Sequence, residues 1–167
     1  MSRSTEILNL MDGYMPYKLY CDLDGVLTGF NERYFELFGK SPDEETNKVL
    51  FKNIGDNSKD FWFDMPWEKG GQILWNFIKP YKPIILSSPT YDPFCVPGKM
   101  DWVHKNLGED VLVILKNNKS VYANPSAILI DDRSTNIDKW VEHGGIGILY
   151  SDVDKAIKEL KILIENK

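Results

Sequence analysis

The 167-residue sequence predicts one α/β domain, a mostly parallel sheet with helices on both faces. Two observations carry this. Five short apolar runs are each bounded by turn residues: K-L-Y-C-D-L-D from Lys18, K-P-I-I-L-S-S from Lys82, V-L-V-I-L-K from Val111, A-I-L-I-D-D from Ala127 and G-I-G-I-L-Y from Gly145. Strands covered on both faces need such near-continuous apolarity. Between the runs, apolar residues at helical spacing mark helices over about Glu68 to Ile78, Lys99 to Leu107, Thr135 to His143 and Val153 to Ile164. In a sheet of this kind ligands bind outside the carboxyl ends of the strands.

The alternation breaks once. From Asn31 to Asp64 no strand pattern occurs, and a helix is expected over about Glu32 to Phe38. The following S-P-D-E-E suits a helix start: Ser41 can cap, Pro42 fits the first turn, and the acids favour the dipole. The expected organisation is a core of about residues 1–28 and 69–167. A small helical insertion, about 29–68, would lie over the strand ends as a lid. Gly144-Gly145-Ile146-Gly147 precedes a strand and reads as a helix stop, not a phosphate loop.

Composition narrows the function classes. Hydrophobic residues at 43% and charged residues at 27% fit a soluble globular chain. A net charge of -5 disfavours stable nucleic-acid binding, so an anionic ligand must be met by a local positive site or a metal. Two cysteines, Cys21 and Cys95, are too few for a disulfide framework. The amino-terminal residues lack the apolar run of a signal peptide, and no stretch approaches the ~20 apolar residues that span a bilayer. The expectation is a cytoplasmic protein without a membrane partner.

Chemistry-bearing residues collect where strands stop. Asp22 and Asp24 follow the first run, Ser87 and Ser88 the second, Lys116 to Lys119 the third, Asp131 and Asp132 the fourth. Parallel strands bring these ends together. Converging carboxylates repel unless a cation sits among them, and hard oxygen ligands suit Mg²⁺. Asp22 and Asp24, two apart on extended backbone, share a side, and Gly25 lets the chain turn away. One carboxylate of such a pair can bond phosphorus while the other handles a proton. Ser87 could bond the transferring oxygens, and a lysine would neutralise developing charge. Asp131 and Asp132 also suit a helix cap. His104 and His143 sit at no strand end and are assigned no chemistry.

D-L-D-G-V-L-T, I-I-L-S-S, a lysine, then I-L-I-D-D, in this order across nearly the whole chain, resembles the haloacid dehalogenase (HAD) superfamily of aspartate-nucleophile phosphatases. D-L-D-G-V-L-T-G-F, L-S-S-P, G-K-M-D-W-V-H-K-N-L-G and I-L-I-D-D-R resemble its 5'(3')-deoxyribonucleotidase branch, whose members carry a small helical cap after the first motif. The resemblance implies a Rossmann-like HAD fold, with Asp22 as nucleophile and Asp24 as general acid and base. It places Mg²⁺ on Asp22, the Asp24 backbone carbonyl and Asp131, with Asp132 close by or acting through water. Ser87 would bind phosphate, with Ser88 beside it. Lys119 is preferred as the third-motif lysine, Lys116 remains an alternative, and Lys99 matches a second lysine near the phosphate. Phe30 would stack on a base, Phe61 and Trp62 belong to a second aromatic segment, and Arg133 would contact substrate or brace the acids.

The implied substrate is a small phosphorylated molecule, a nucleoside monophosphate in that branch; a homodimer is compatible with this reading. Two alternatives are an HAD phosphatase acting on another phosphometabolite or a nucleic-acid end, and a phospho-accepting receiver-like signalling module. Motif order speaks against the latter, where the phosphorylated aspartate follows the third strand and the acidic pair the first.

Overall fold

A computed structural model describes residues 15–165. Five strands form one sheet: β1 (Lys18–Cys21), β2 (Ile84–Ser87), β3 (Val113–Leu115), β4 (Ala127–Asp131) and β5 (Ile146–Leu149). Their order is β3-β2-β1-β4-β5, and every pairing is parallel. The chain winds outward on one side of β1, then returns to its other side. The switch in direction lies between β1 and β4, where an open parallel sheet forms its ligand crevice.

Seven helices are described: α1 (Phe30–Phe38), α2 (Asn47–Asp56), α3 (Ser58–Trp62), α4 (Gly71–Ile78), α5 (Cys95–Asn106), α6 (Ser134–Glu142) and α7 (Val153–Glu165). Side chains alternate across the pleat, so Leu19 and Cys21 join one apolar cluster with Leu74, Ile78, Val103 and Leu160. Tyr20 faces the other way, with Leu129, Ile137 and Trp140. Helices thus cover both faces, as the continuous apolar runs require. Among the described residues no helix is long and apolar enough to cross a membrane.

All five expected strands are present, and element ends differ for identifiable reasons. The helix α5 begins at Cys95 instead of Lys99. Pro97 falls in its first turn, where a missing N–H and fixed φ are tolerated, so it does not mark a boundary. Ser41 precedes a single 3₁₀ turn over Pro42–Glu44, with its backbone N–H donating to Glu44 Oε1 at 3.0 Å. Beyond it the segment adds α2, started by the Thr46 hydroxyl accepting from the Val49 N–H at 3.4 Å, and the short α3.

The stretch from Gly29 to Pro66, between β1 and α4, is pinned where it begins and ends. Thr28 bridges to Trp67, the Gly29 N–H donates to the Pro66 carbonyl at 2.8 Å, and the Glu68 N–H to the Leu27 carbonyl at 2.8 Å. Leu50, Ile54, Phe61 and Trp62 are buried in the same cluster as Leu19 and Ile85. Their burial, not intrinsic propensity, supplies most of the stability of helices this short.

Candidate active site

The site lies at the carboxyl ends of β1, β2 and β4, beside a cleft of about 470 Å³. Pairing fixes the geometry: Cys21 is level with Ile130, and the Asp22 N–H donates to the Ile130 carbonyl at 2.9 Å. Asp22 and Asp131 therefore emerge side by side. Oxygens of Asp22, Asp131 and Asp132 lie within 4.8 Å of one another.

Lys119 stands on a 3₁₀ turn after β3 and is buried; its Nζ lies 2.8 Å from Asp22 Oδ1 and 2.6 Å from Asp131 Oδ2. Lys116 instead gives its backbone N–H to the Ser87 carbonyl at 2.9 Å, and its side chain does not line the cleft. Asp131 also accepts from the Arg133 N–H at 2.9 Å, and from Asn136 Nδ2 at 3.1 Å and 3.0 Å on its two oxygens. Burial pushes the Asp22 carboxyl up to about 7, with Lys119 opposing and Asp131 adding to the rise. Loss of hydration, then Asp131, likewise pushes Asp132 up to about 6. Burial pushes the neighbouring Cys21 thiol well above its ordinary value.

A second lysine anchors the other half. Lys99 Nζ donates to Asp24 Oδ2 at 2.6 Å, Ser87 Oγ at 2.8 Å and the Ser88 carbonyl at 2.9 Å. The Thr28 hydroxyl donates to Asp24 Oδ1 at 2.9 Å. Gly25 makes the turn between these groups: its φ is +79°, and a Cβ there would fall 2.3 Å from Asp132 Oδ2. Gly25→Ala should therefore displace Asp132 and destabilise the protein by about 1–3 kcal/mol, read by denaturant unfolding.

The residues present fit a divalent cation. Four carboxylates stand against two ammonium groups bonded to them, Lys99 and Lys119, so full ionisation leaves two negative charges uncompensated. The neighbouring carboxylates Asp131 and Asp24 add to the rise of the Asp22 carboxyl that burial causes first. Asp22, Asp131 and Asp132 offer the hard oxygen donors that Mg²⁺ takes. The Asp24 carboxylate is outside this group and is held instead by Lys99 and Thr28.

Around the acids, Phe30, Trp62, Ser87, Ser88 and Arg133 line the cleft. Phe61 does not. It is fully buried, edge-on to Phe30 with ring centroids 5.1 Å apart, and its assignment as a substrate contact is corrected to a core residue. On the short α3, adjacent residues diverge by about 100°, so only one of Phe61 and Trp62 can face the cleft. Phe51, half exposed on α2, lines the wall beside Asn47 and was not anticipated. Neither were Asn117 and Asn136. Asn136 is the third residue of α6, which starts at Ser134 shortly beyond Asp131, and its amide turns back to bond both oxygens of that carboxylate.

No family model matches the sequence, and none of the curated proteins compared with it matches. Solved structures do. A hydrolase from Streptococcus pneumoniae TIGR4 is 16% identical, covers 88% of this chain and 100% of its own, and superposes with a TM-score of 0.56. An uncharacterized protein from Corynebacterium glutamicum ATCC 13032 Kitasato is 14% identical over 90% of this chain and 96% of its own, with a TM-score of 0.50. A Had-superfamily hydrolase from Ehrlichia chaffeensis reaches a TM-score of 0.46 at 12% identity, over 88% and 97% of the two chains. At such identities the likeness concerns architecture. The chain shares with them an α/β fold, a parallel five-stranded sheet covered by helices on both faces.

Proposed function

We propose that this chain is an HAD-superfamily phosphomonoesterase that works through an aspartyl-phosphate on Asp22 and acts on nucleoside monophosphates, in the manner of the deoxyribonucleotidase branch it resembles. The observation that carries the reading is the convergence of Asp22, Asp131 and Lys119 at bonding distance, with Asp24 on its own lysine beside them. Asp22 Oδ attacks phosphorus and the bond to the leaving oxygen breaks, while Asp24, carrying a proton, gives it to that oxygen. Water then attacks the phosphoenzyme, Asp24 takes its proton, and the phosphorus–Asp22 bond breaks to free inorganic phosphate.

Asp22, Asp131 and Asp132, with the Asp24 carbonyl, would hold Mg²⁺. That ion would keep Asp22 ionised and bind the phosphoryl oxygens. Ser87 supplies a hydroxyl to a transferring oxygen, and Lys119 offsets the charge that accumulates there. Arg133 reaches the cleft from an exposed position and serves the same anion.

The substrate assignment draws on the far wall. The insertion contributes Phe30, Asn31, Asn47, Leu50, Phe51 and Trp62 to the cleft, with no charged side chain among them. Such a wall receives a flat, neutral leaving group, and stacking on a base contributes about 1–3 kcal/mol whatever the base. In this reading the insertion is the cap. With Mg²⁺ present, phosphate release from dTMP and dUMP should exceed that from glucose 6-phosphate by at least about tenfold in kcat/KM. Equal rates would remove the nucleotidase assignment and leave a phosphatase for another metabolite; no release from any ester would remove both.

A further inference from the structure

Trp62 lines the cleft but is only 2% exposed. What covers it is the first turn of α5. A Cβ on Gly98 would lie 2.6 Å from Trp62 Cβ and 2.8 Å from its carbonyl oxygen, so only glycine admits this approach. The next residue, Lys99, then carries its ammonium back over the indole, 5.3 Å from the ring centroid. The three N–H donors of Lys99 are already taken by Asp24, Ser87 and the Ser88 carbonyl. Phe61 meets the indole edge-on at 4.9 Å and fixes its tilt. Among the described residues the indole N–H finds no hydrogen-bond partner, so the ring is what this side chain contributes.

We infer that Trp62 is a positioning residue whose ring face holds the Lys99 ammonium against Asp24 and Ser87, so that the insertion sets the geometry of the proton-handling carboxylate. This deepens the phosphatase reading, from which Asp24 takes that role. It also withdraws Trp62 from stacking on the leaving group, a task left to Phe30 and Phe51. The device is braced from several sides. Ser58, at the start of α3, donates to Asp92; Trp102 Nε1 donates to the Met65 carbonyl at 2.7 Å; and Lys105 pairs with Asp64 at 3.0 Å. A shift of α3 relative to α5 therefore moves the indole, and with it the lysine.

Two readouts test this on the full chain. The first needs no activity: in protein labelled with ¹⁵N at lysine Nζ, the Lys99 signal, assigned by its loss in Lys99→Arg, should persist in Trp62→Phe and vanish in Trp62→Leu. An unchanged signal in Trp62→Leu overturns the proposal. The second uses para-nitrophenyl phosphate with Mg²⁺. Trp62→Leu should lower kcat about tenfold with KM within about twofold, and Trp62→Phe should recover most of the loss. A raised KM at unchanged kcat would instead make Trp62 a leaving-group contact and overturn the proposal. If truncation unfolds the protein, biosynthetic mono- and difluorinated tryptophan keeps the shape while draining the ring face. Then kcat should fall stepwise in the parent and not in Trp62→Phe, and equal falls in both would overturn the proposal. An inactive parent enzyme would sink the phosphatase reading alone, since the Lys99 signal still decides the contact.

Discussion

Asp22→Asn should abolish turnover of every phosphomonoester, by on the order of 10⁴-fold or more, while the protein stays folded. The substitution is isosteric, but an amide nitrogen cannot form the bond to phosphorus. Stability should change little, because burial already holds the Asp22 carboxyl up to about 7, which marks its ionised form as costly in the folded protein. Replacing it with a neutral group removes that cost. What is lost is one of the two negative charges beside Lys119, whose ammonium can still donate to the amide oxygen and keeps Asp131 at 2.6 Å. Rapid-quench labelling with a ³²P-ester should trap an acid-stable phosphoprotein in the parent and none in the variant. Full activity in Asp22→Asn would end the covalent mechanism.

Lys119→Met should be nearly as damaging, in stability as well as rate. The side chain is buried between two carboxylates, and removing one partner of a buried ion pair typically costs about 3–5 kcal/mol. The loss should depend on pH with a definite sign. Asp22 titrates near 3.8 in the unfolded chain and about 7 in the folded one, so between these values the folded protein holds a proton that the unfolded chain has released. Stability therefore falls as pH rises through that window. Without Lys119, whose attraction lowers Asp22, the folded value climbs further and the window extends upward. In metal-free buffer the destabilisation should be larger at pH 8 than at pH 5, measured by urea unfolding. Equal losses at both would show that Lys119 does not bear on Asp22. The rate should drop by on the order of 10²-fold or more with loss of the charge that offsets the transferring oxygens.

Much of this was legible in the sequence because each acid ends an apolar run. Strand pairing then leaves Asp22 and Asp131 little freedom: Cys21 and Ile130 are level, and the next residue of each strand must emerge at the same edge. The helices between Phe30 and Trp62 were less legible. In α2 only Leu50 and Ile54 are buried, while Val49 beside them is exposed and Phe51 lies half exposed along the cleft, so the apolar pattern blurs. Which of Phe61 and Trp62 meets the cleft depends on the rotation of a five-residue helix, and that is set by the Gly98 contact with a segment distant in sequence. Asn136 escaped notice because an amide carries no charge to draw attention, although it bonds both oxygens of Asp131.

The hydrogen bonds that tie Gly29 to Pro66 and Leu27 to Glu68 have a consequence for how such a protein could be remade. The polypeptide leaves the sheet and re-enters it through one doorway, so lengthening the excursion costs little in closure entropy and does not alter the spacing of β1 and β2. A foreign helical module could be spliced there to recognise a different molecule, on two conditions. It must bring an apolar underside to replace Phe61, and an aromatic ring where the Lys99 ammonium now rests.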